Sequence, residues 1–201
     1  MGRKEAYKFT SEDAENYDFY LGCVLFEPYG KYMSSRIETT NLSAVLELAC
    51  GTGRGTQYIR QALPAGVDFL ATDISGDMLD IAKKRLGNDG VRLKAEDIQN
   101  LSFNDHAFDL AICQFGMMFI ADRQKGFDEI SRVLKPGGKL MCLTWDDVLH
   151  NPLFNLLIND LMLPYFADED TTRLFVPLPF KSTFQRYMPT HHEILHYPLI
   201  L

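Results

Sequence analysis

The sequence has little of what metal-binding, secreted or membrane-spanning proteins need. Its four cysteines, at positions 23, 50, 113 and 142, show no CxxC or paired spacing, so we expect neither a zinc site nor a disulfide framework. We expect no metal site from the histidines, because the adjacent His191 and His192 would point in different directions on a strand. No apolar run reaches transmembrane length, and the N-terminus has no apolar signal core. We therefore predict a cytoplasmic protein without a metal or a membrane span.

Positive charge is also scarce, with 20 Lys and Arg against 27 Asp and Glu and a net charge of −7. This balance argues against nucleic acid as a partner, because that affinity depends on clustered basic residues. The longest basic run, Lys83–Arg85, is interpreted as a solvated helix face near a helix C-terminus. Signatures of serine hydrolases (GxSxG) and P-loop proteins are absent from the sequence, and the run HEILH at residues 192–196 overlaps a predicted strand instead of lying on the helix that carries HExxH in zinc proteases.

A regular alternation of strand and helix patterns begins at Ala44. The apolar runs predict strands near 44–49, 67–73, 91–95, 108–113 and 139–145, and the intervening patterns predict helices near 54–63, 76–86, 122–134 and 153–163. Such alternation implies right-handed crossovers and a parallel sheet covered on both faces. A chain of 201 residues is a normal size for one domain of this kind. We predict a Rossmann-like, doubly wound α/β fold.

Both ends of the chain lie outside this alternation. Residues 1–41 are rich in aromatics and are predicted to form a helical cap, starting near Ser11 and broken near Gly22 and Pro28. Residues 42–150 form the predicted core. Residues 151–201 are predicted to add a helix and an atypical tail with one plausible strand, 193–197, within the same domain.

The most informative segment is ELACGTGRGT, which begins at Glu47. It runs from a predicted strand through Gly51, Gly53 and Gly55 into a helix, a turn that brings backbone N–H groups close to a ligand. Asp73 ends the next strand about twenty residues later, where nucleoside-binding folds place a carboxylate on a ribose. Together these features predict a nucleoside cofactor. Arg54, inside the segment, is interpreted as a helix-surface residue.

Five segments in order between Leu42 and Trp145 resemble the motifs of the class I S-adenosylmethionine-dependent methyltransferases of the small-molecule type, such as those of ubiquinone and menaquinone biosynthesis. The segments are ELACGTGRGT, ATDIS, AEDIQNLSF, FDLAICQFGMMFIAD and RVLKPGGKLMCLTW. The resemblance implies S-adenosylmethionine as cofactor, S-adenosylhomocysteine as product and a small-molecule methyl acceptor. A nitrogen, oxygen, carbon or sulfur acceptor is equally compatible with this scaffold.

The resemblance also implies a role for individual residues. Ten of them would form the cofactor site: Ala49, Gly51 and Gly53 around the methionine and ribose, with Glu47 organising the loop, Asp73 on the ribose hydroxyls, Ile74 and Met78 on the adenine faces, Asp97 and Ile98 on the adenine edge, and the Gln114 carbonyl opposite the amino group. Five more are candidates for the acceptor pocket: Tyr17, Tyr20, Phe115, Asp146 and His150. Because methyl transfer depends mainly on in-line positioning, no catalytic base is assigned.

Two alternatives stay open at this point. An NAD-dependent dehydrogenase fits less well, because Thr56 replaces the last glycine of GxGxxG and Glu47 precedes the loop. A non-catalytic binder of S-adenosylmethionine or S-adenosylhomocysteine is the other alternative, since the family usually ends in an antiparallel hairpin beside the fifth strand. This tail has too little pattern for a full hairpin. An uncovered fifth strand would invite pairing with a second chain, so a homodimer is predicted.

Overall fold

The structure, a computed structural model, describes residues 11–144, with residues 24 and 25 described by their backbone alone. Five parallel strands form one sheet in the order β3-β2-β1-β4-β5. Their bounds are Ala44–Leu48 (β1), Asp68–Asp73 (β2), Val91–Ala95 (β3), Phe108–Gln114 (β4) and Leu134–Leu143 (β5). The predicted Rossmann-like sheet is confirmed.

The helices confirm the predicted alternation. They are Ser11–Leu21 (α1), Glu27–Ser35 (α2), Thr56–Ala62 (α3), Gly76–Leu86 (α4) and Arg123–Val133 (α5). The Ser75 hydroxyl caps α4 by accepting the Met78 N–H at 3.3 Å. The predicted helix at 153–163 and strand at 193–197 lie outside the described residues. Within residues 11–144, none of the helices combines the length and the apolarity needed to cross a membrane.

Two elements differ in detail from their predictions. The break near Gly22 is a π-helical turn, Gly22–Phe26, so the chain stays helical between α1 and α2, and Pro28 lies in the first turn of α2. β5 begins at Leu134 instead of residue 139. Phe108 pairs with Leu134 but Leu110 pairs with Lys139, so the proline-glycine segment is accommodated as an irregularity between these two pairings.

The core forms a layer on each face of the sheet, because neighbouring side chains of a strand point to opposite faces. Leu46 belongs to the layer that contains Phe127 of α5, and Val45 belongs to the layer that contains Ile59 of α3. Phe26 and Tyr29, from the predicted cap, pack against the second layer. The cap segment therefore lies against one face of the sheet.

The strand order predicts a ligand-binding crevice at the carboxyl ends of β1 and β4. β1 pairs with β2 on one side and with β4 on the other, so the chain changes its direction of winding between these two strands. In open α/β sheets, ligands bind at this switch point. The glycine segment follows β1, and Phe115 follows β4.

Candidate cofactor and acceptor site

Three residues of the glycine segment have left-handed backbone conformations. Ala49, Gly51 and Gly53 have φ values of 53°, 56° and 76°, and a positive φ at the non-glycine Ala49 is a strained conformation typical of functional sites. The Cys50 N–H donates to the Thr72 carbonyl at 2.9 Å, which ties the segment to β2. A Cβ atom on Gly53 would lie 3.1 Å from the Ala82 Cβ, so this glycine allows close packing on α4. These contacts fix the segment beside the ends of β1 and β2.

Asp73 joins the end of β2 to the glycine segment. Its Oδ2 accepts the Gly51 N–H at 2.8 Å, and its Oδ1 accepts the Ser75 N–H at 2.9 Å. Burial raises the pKa of Asp73, while the N–H groups of Ser75, Gly51 and Ile74 act in the opposite direction. A carboxylate has about four acceptor positions. The N–H groups of Gly51, Ser75 and Ile74 use most of this capacity to organise the turn, and the remaining capacity is left for a hydroxyl group of a ligand.

Glu47 and Gln114 bring unpartnered oxygens to the switch point. Glu47 is 2% exposed, and its Oε2 has no hydrogen-bond partner among the described residues. The Gln114 Nε2 donates to the Phe26 carbonyl at 3.0 Å, but its Oε1 is likewise buried without a partner there. A Cβ on Gly55 would lie 2.6 Å from the Gln114 Oε1 and 3.8 Å from the Glu47 Oε1. Buried polar atoms normally have partners, so these acceptors fit a ligand that carries N–H donors or positive charge.

Burial raises the pKa of Glu47 to about 8, and the negative charge of Asp73 contributes in the same direction. The Thr56 hydroxyl acts in the opposite direction but does not outweigh burial. The carboxyl group is therefore largely protonated at neutral pH in the free protein. A cationic group beside it would favour the ionised form.

The predicted adenine-binding residues have different environments. The Ile74 side chain is 66% exposed and follows Asp73 directly, whereas the Met78 side chain is buried and leaves little surface for a ligand. The Asp97 Oδ1 accepts the Gln99 N–H at 2.8 Å, and Ile98 packs against the core layer of α5. Ile74 is thus the most accessible apolar surface among the four residues.

The cap adds an aromatic cluster formed by Tyr17, Phe26, Tyr29 and Phe115. Tyr17 stacks on Phe26 at 5.0 Å between ring centroids, and Phe26 and Tyr29 contact Phe115 edge-on at 5.8 and 5.3 Å. Burial and the nearby Asp73 charge raise the pKa of the Tyr17 hydroxyl. The structure therefore brings Tyr17 and Phe115 together at the site, on either side of Phe26.

Of the other predicted pocket residues, Tyr20 is described by the structure and is not part of this cluster. Tyr20 is an exposed residue of α1 that contacts Phe19 edge-on. Asp146 and His150 lie outside the described residues. Within residues 11–144, His, Cys, Asp and Glu side chains form no group of three or more that could hold a metal ion.

The interpretation of Arg54 as a helix-surface residue is wrong. Its guanidinium group is half-buried and donates to the Asp18 carboxylate of α1 through Nε at 2.9 Å and Nη2 at 3.0 Å. Arg85, interpreted as part of a solvated basic face, also donates to Asp18 at 2.6 Å, whereas Lys83 and Lys84 are exposed. The sequence contains no periodicity or motif that pairs residues so far apart, so Asp18 was missed.

Comparison with known proteins identifies the family. A sequence profile described as a methyltransferase domain matches residues 46–142, from β1 to β5. A demethylmenaquinone methyltransferase from Lactiplantibacillus plantarum is 31% identical over 163 residues, which cover 72% of this chain and 69% of the relative. A ubiquinone/menaquinone biosynthesis C-methyltransferase from Hydrogenovibrio crunogenus is 30% identical over 142 residues, which cover 67% of this chain and 56% of the relative.

A solved structure has a similar fold. This protein, from Methanococcus maripaludis and assigned as an S-adenosyl-L-methionine-dependent methyltransferase, aligns with a TM-score of 0.68 and 22% identity over 93% of this chain and 86% of its own. The fold, the glycine segment with Asp73, and the relatives agree. The chain belongs to the class I S-adenosylmethionine-dependent methyltransferases.

Proposed function

We propose that this protein transfers the methyl group of S-adenosylmethionine to a carbon atom of a small, quinone-type aromatic acceptor and releases S-adenosylhomocysteine. The observation that carries the proposal is the pair of buried, unpartnered oxygens of Glu47 and Gln114 beside Gly55. S-adenosylmethionine carries an ammonium and a sulfonium group, whose positive charge would favour the ionised form of Glu47, and both side-chain oxygens can then accept from the ammonium group. The same oxygens disfavour the pyrophosphate of NAD, which would be repelled there.

The cofactor residues are proposed as the resemblance assigns them, except that Glu47, which the resemblance gives the role of organising the loop, is here also a direct contact. Asp73 would bind the ribose hydroxyls through the acceptor capacity that the N–H groups of Gly51, Ser75 and Ile74 leave open. Ala49, Gly51 and Gly53 would present backbone atoms to the methionine portion, and Glu47 and Gln114 would accept from its ammonium group. The adenine ring would pack on Ile74, with a small contribution from Met78, and its edge would meet Asp97 and Ile98. When bound, the cofactor supplies an electrophilic methyl group.

The aromatic cluster supports an aromatic acceptor. Offset-stacked and edge-on contacts between rings are favourable, and Tyr17, Phe26 and Phe115 already form such contacts at the end of β4. One relative is named a demethylmenaquinone methyltransferase and the other a C-methyltransferase of ubiquinone/menaquinone biosynthesis, and these names support a quinone-derived ring and a carbon acceptor. Because the pKa of Tyr17 is raised, its hydroxyl stays protonated at neutral pH and can donate a hydrogen bond, but it cannot act as a general base.

Three further expectations are part of this proposal. The chain would act as one domain made of cap (1–41), core (42–150) and C-terminal region (151–201), with Tyr20, Asp146 and His150 at the edge of the acceptor pocket. Its net charge of −7 supports a small-molecule partner over nucleic acid. A homodimer that pairs through β5 is proposed, and sedimentation velocity at micromolar concentration would detect it.

Calorimetry and methyl transfer test the function. S-adenosylmethionine and S-adenosylhomocysteine should bind with micromolar affinity, and NAD should not bind. A label in the methyl group should then appear in a short-chain demethylated quinol. Binding of NAD without binding of either sulfur compound would refute the cofactor assignment. Tight cofactor binding without transfer to any quinol, under conditions where a relative is active, would refute the acceptor class and favour a non-catalytic binder.

A further inference from the structure

We infer that Asp18 is a positioning residue that locks helix α1 onto the glycine segment, so that cofactor binding and closure of the cap over the acceptor are one coupled event. The inference rests on the proposed function, because the glycine segment is the proposed cofactor site. Asp18 itself touches neither ligand in this scheme. It acts through the segment on one side and through its neighbour Tyr17 on the other.

Four donors from the cofactor-binding core converge on the Asp18 carboxylate. The Thr52 hydroxyl donates to Oδ1 at 2.6 Å and Arg54 Nε donates to the same oxygen at 2.9 Å. Arg54 Nη2 and Arg85 Nη2 donate to Oδ2 at 3.0 and 2.6 Å. Three of the four donors belong to Thr52 and Arg54, the two residues that lie between the glycines of the segment. The position of the Asp18 carboxylate is therefore tied directly to that of the glycine segment by hydrogen bonds.

The charged side chains of this cluster are mostly buried, and its two negative charges balance its two positive charges. The side chains of Asp18, Arg54 and Arg85 are 14%, 15% and 20% exposed. Glu27 of α2, 3.7 Å from Arg54 Nη1, supplies a second negative charge. Burial alone would raise the pKa of Asp18, but the bonds from Arg54 and Thr52 and the charge of Arg85 outweigh it and lower the pKa. Loss of Asp18 would leave half-buried guanidinium groups with too few partners.

The cluster also holds the glycine segment from its other side. Arg85 Nε donates to the Thr52 carbonyl at 3.0 Å, while the Gly51 N–H donates to Asp73. Thr52 thus lies between the Asp18 cluster and the proposed ribose site. Any shift of the segment on cofactor binding must be transmitted to Asp18, and α1 must follow. Because Tyr17 precedes Asp18 in the same helix, the Asp18 cluster also sets the position of Tyr17 against Phe26 and Asp73.

Hydrogen exchange of the α1 amides tests the coupling, with S-adenosylhomocysteine at saturation as the probe. In the wild-type chain, the ligand should slow exchange across α1 at least tenfold, as well as in the glycine segment. In Asp18→Asn, the segment should still be protected, but the change in α1 should fall below about twofold. Asp18→Glu keeps the charge and should recover part of the coupling. Asp68→Asn, which removes an exposed Asp–Arg pair elsewhere, should behave like the wild type.

The outcomes separate this inference from the proposed function. If S-adenosylhomocysteine fails to bind the wild-type chain in calorimetry, the proposed function fails. If it binds but leaves α1 exchange unchanged in the wild type, the coupling is refuted while the function stands, and this result does not depend on any variant folding. Equal protection of α1 in the wild type and Asp18→Asn would also refute it. In acceptor kinetics, Asp18→Asn should raise KM about tenfold, with a smaller change in cofactor affinity.

Discussion

A Cβ atom on Gly116 would lie only 2.3 Å from the Cβ of Ala49. The chain that leaves β4 therefore packs directly against the chain that leaves β1. Each turn also contains a non-glycine residue in the left-handed region, Ala49 at φ 53° and Phe115 at φ 59°. Strained residues of this kind persist only where the surrounding packing fixes them. The close contact between Gly116 and Ala49 is one such constraint, and it shapes the crevice at the switch point.

Gly116→Ala should destabilise the fold. The added methyl group must displace Ala49, and the Cys113 Sγ, 3.0 Å away, blocks movement on the other side. Overpacking of this kind costs about 1–3 kcal/mol, which urea unfolding can measure. Gly66→Ala is the matched control, because a Cβ there meets no atom within 4 Å. A similar change in both variants would mean that the contact between the two turns does not constrain the crevice.

Asp73→Ala should weaken S-adenosylmethionine binding about tenfold to a hundredfold. The variant loses the hydroxyl contacts proposed for the ribose and also the bond that holds the Gly51 N–H, and hydrogen bonds to charged groups contribute about 1.5–3 kcal/mol each. Calorimetry measures the change. Asp68→Ala at the start of the same strand is the control, since its carboxylate is paired with Arg92 at the exposed edge. Equal affinity of the two variants would remove Asp73 from the cofactor site.

The stability of the free protein should fall with rising pH because of Glu47. Its pKa is about 8 in the folded protein and 4.5 in the reference state, so the folded chain binds more protons between these values. The contribution of Glu47 is therefore complete below about pH 4.5 and is lost as pH rises to about 8. Between pH 6 and pH 8, these two values correspond to a loss of about 2 kcal/mol.

Glu47→Gln is neutral at every pH and should lack most of this decline in urea unfolding. Asp73 and Cys50 face the same site, and burial raises the pKa of both groups, so a smaller slope should remain. Parallel curves for the wild type and Glu47→Gln would show that Glu47 is ionised in the free protein. In that case the buried carboxylate must have a cationic partner even without the cofactor.

The site divides into a part that the sequence predicts and a part that it does not. The glycines, Asp73 and the Ser75 cap were predictable because each depends on local backbone geometry at the junction of a strand and a helix. Asp18 and Arg54 were not, because their pairing depends on how the cap packs on the core. An arginine in a polar segment is usually a surface residue, and only tertiary structure shows that this one is half-buried.

The start of β5 shows the same limit within a single element. The proline-glycine segment normally indicates a turn, and it predicted a strand that starts at residue 139. The structure extends pairing back to Leu134, because the irregularity opposite Phe108 absorbs the extra residues. Local sequence indicates that the chain bends here. It does not indicate whether the neighbouring strand can follow the bend.

Phe26→Ala should impair acceptor binding while it spares the cofactor. Phe26 contacts both Tyr17 and Phe115, so its loss removes two aromatic pairs, each worth about 0.5–1.5 kcal/mol beyond buried area. We expect KM for a quinol acceptor to rise roughly tenfold, as fixed by that energy range, in steady-state assays at saturating S-adenosylmethionine. Phe119→Ala is the control, because that ring is exposed. If cofactor affinity fell as much as acceptor affinity, the aromatic cluster would be a wall of the cofactor site, and the acceptor would have to approach from residues beyond 144.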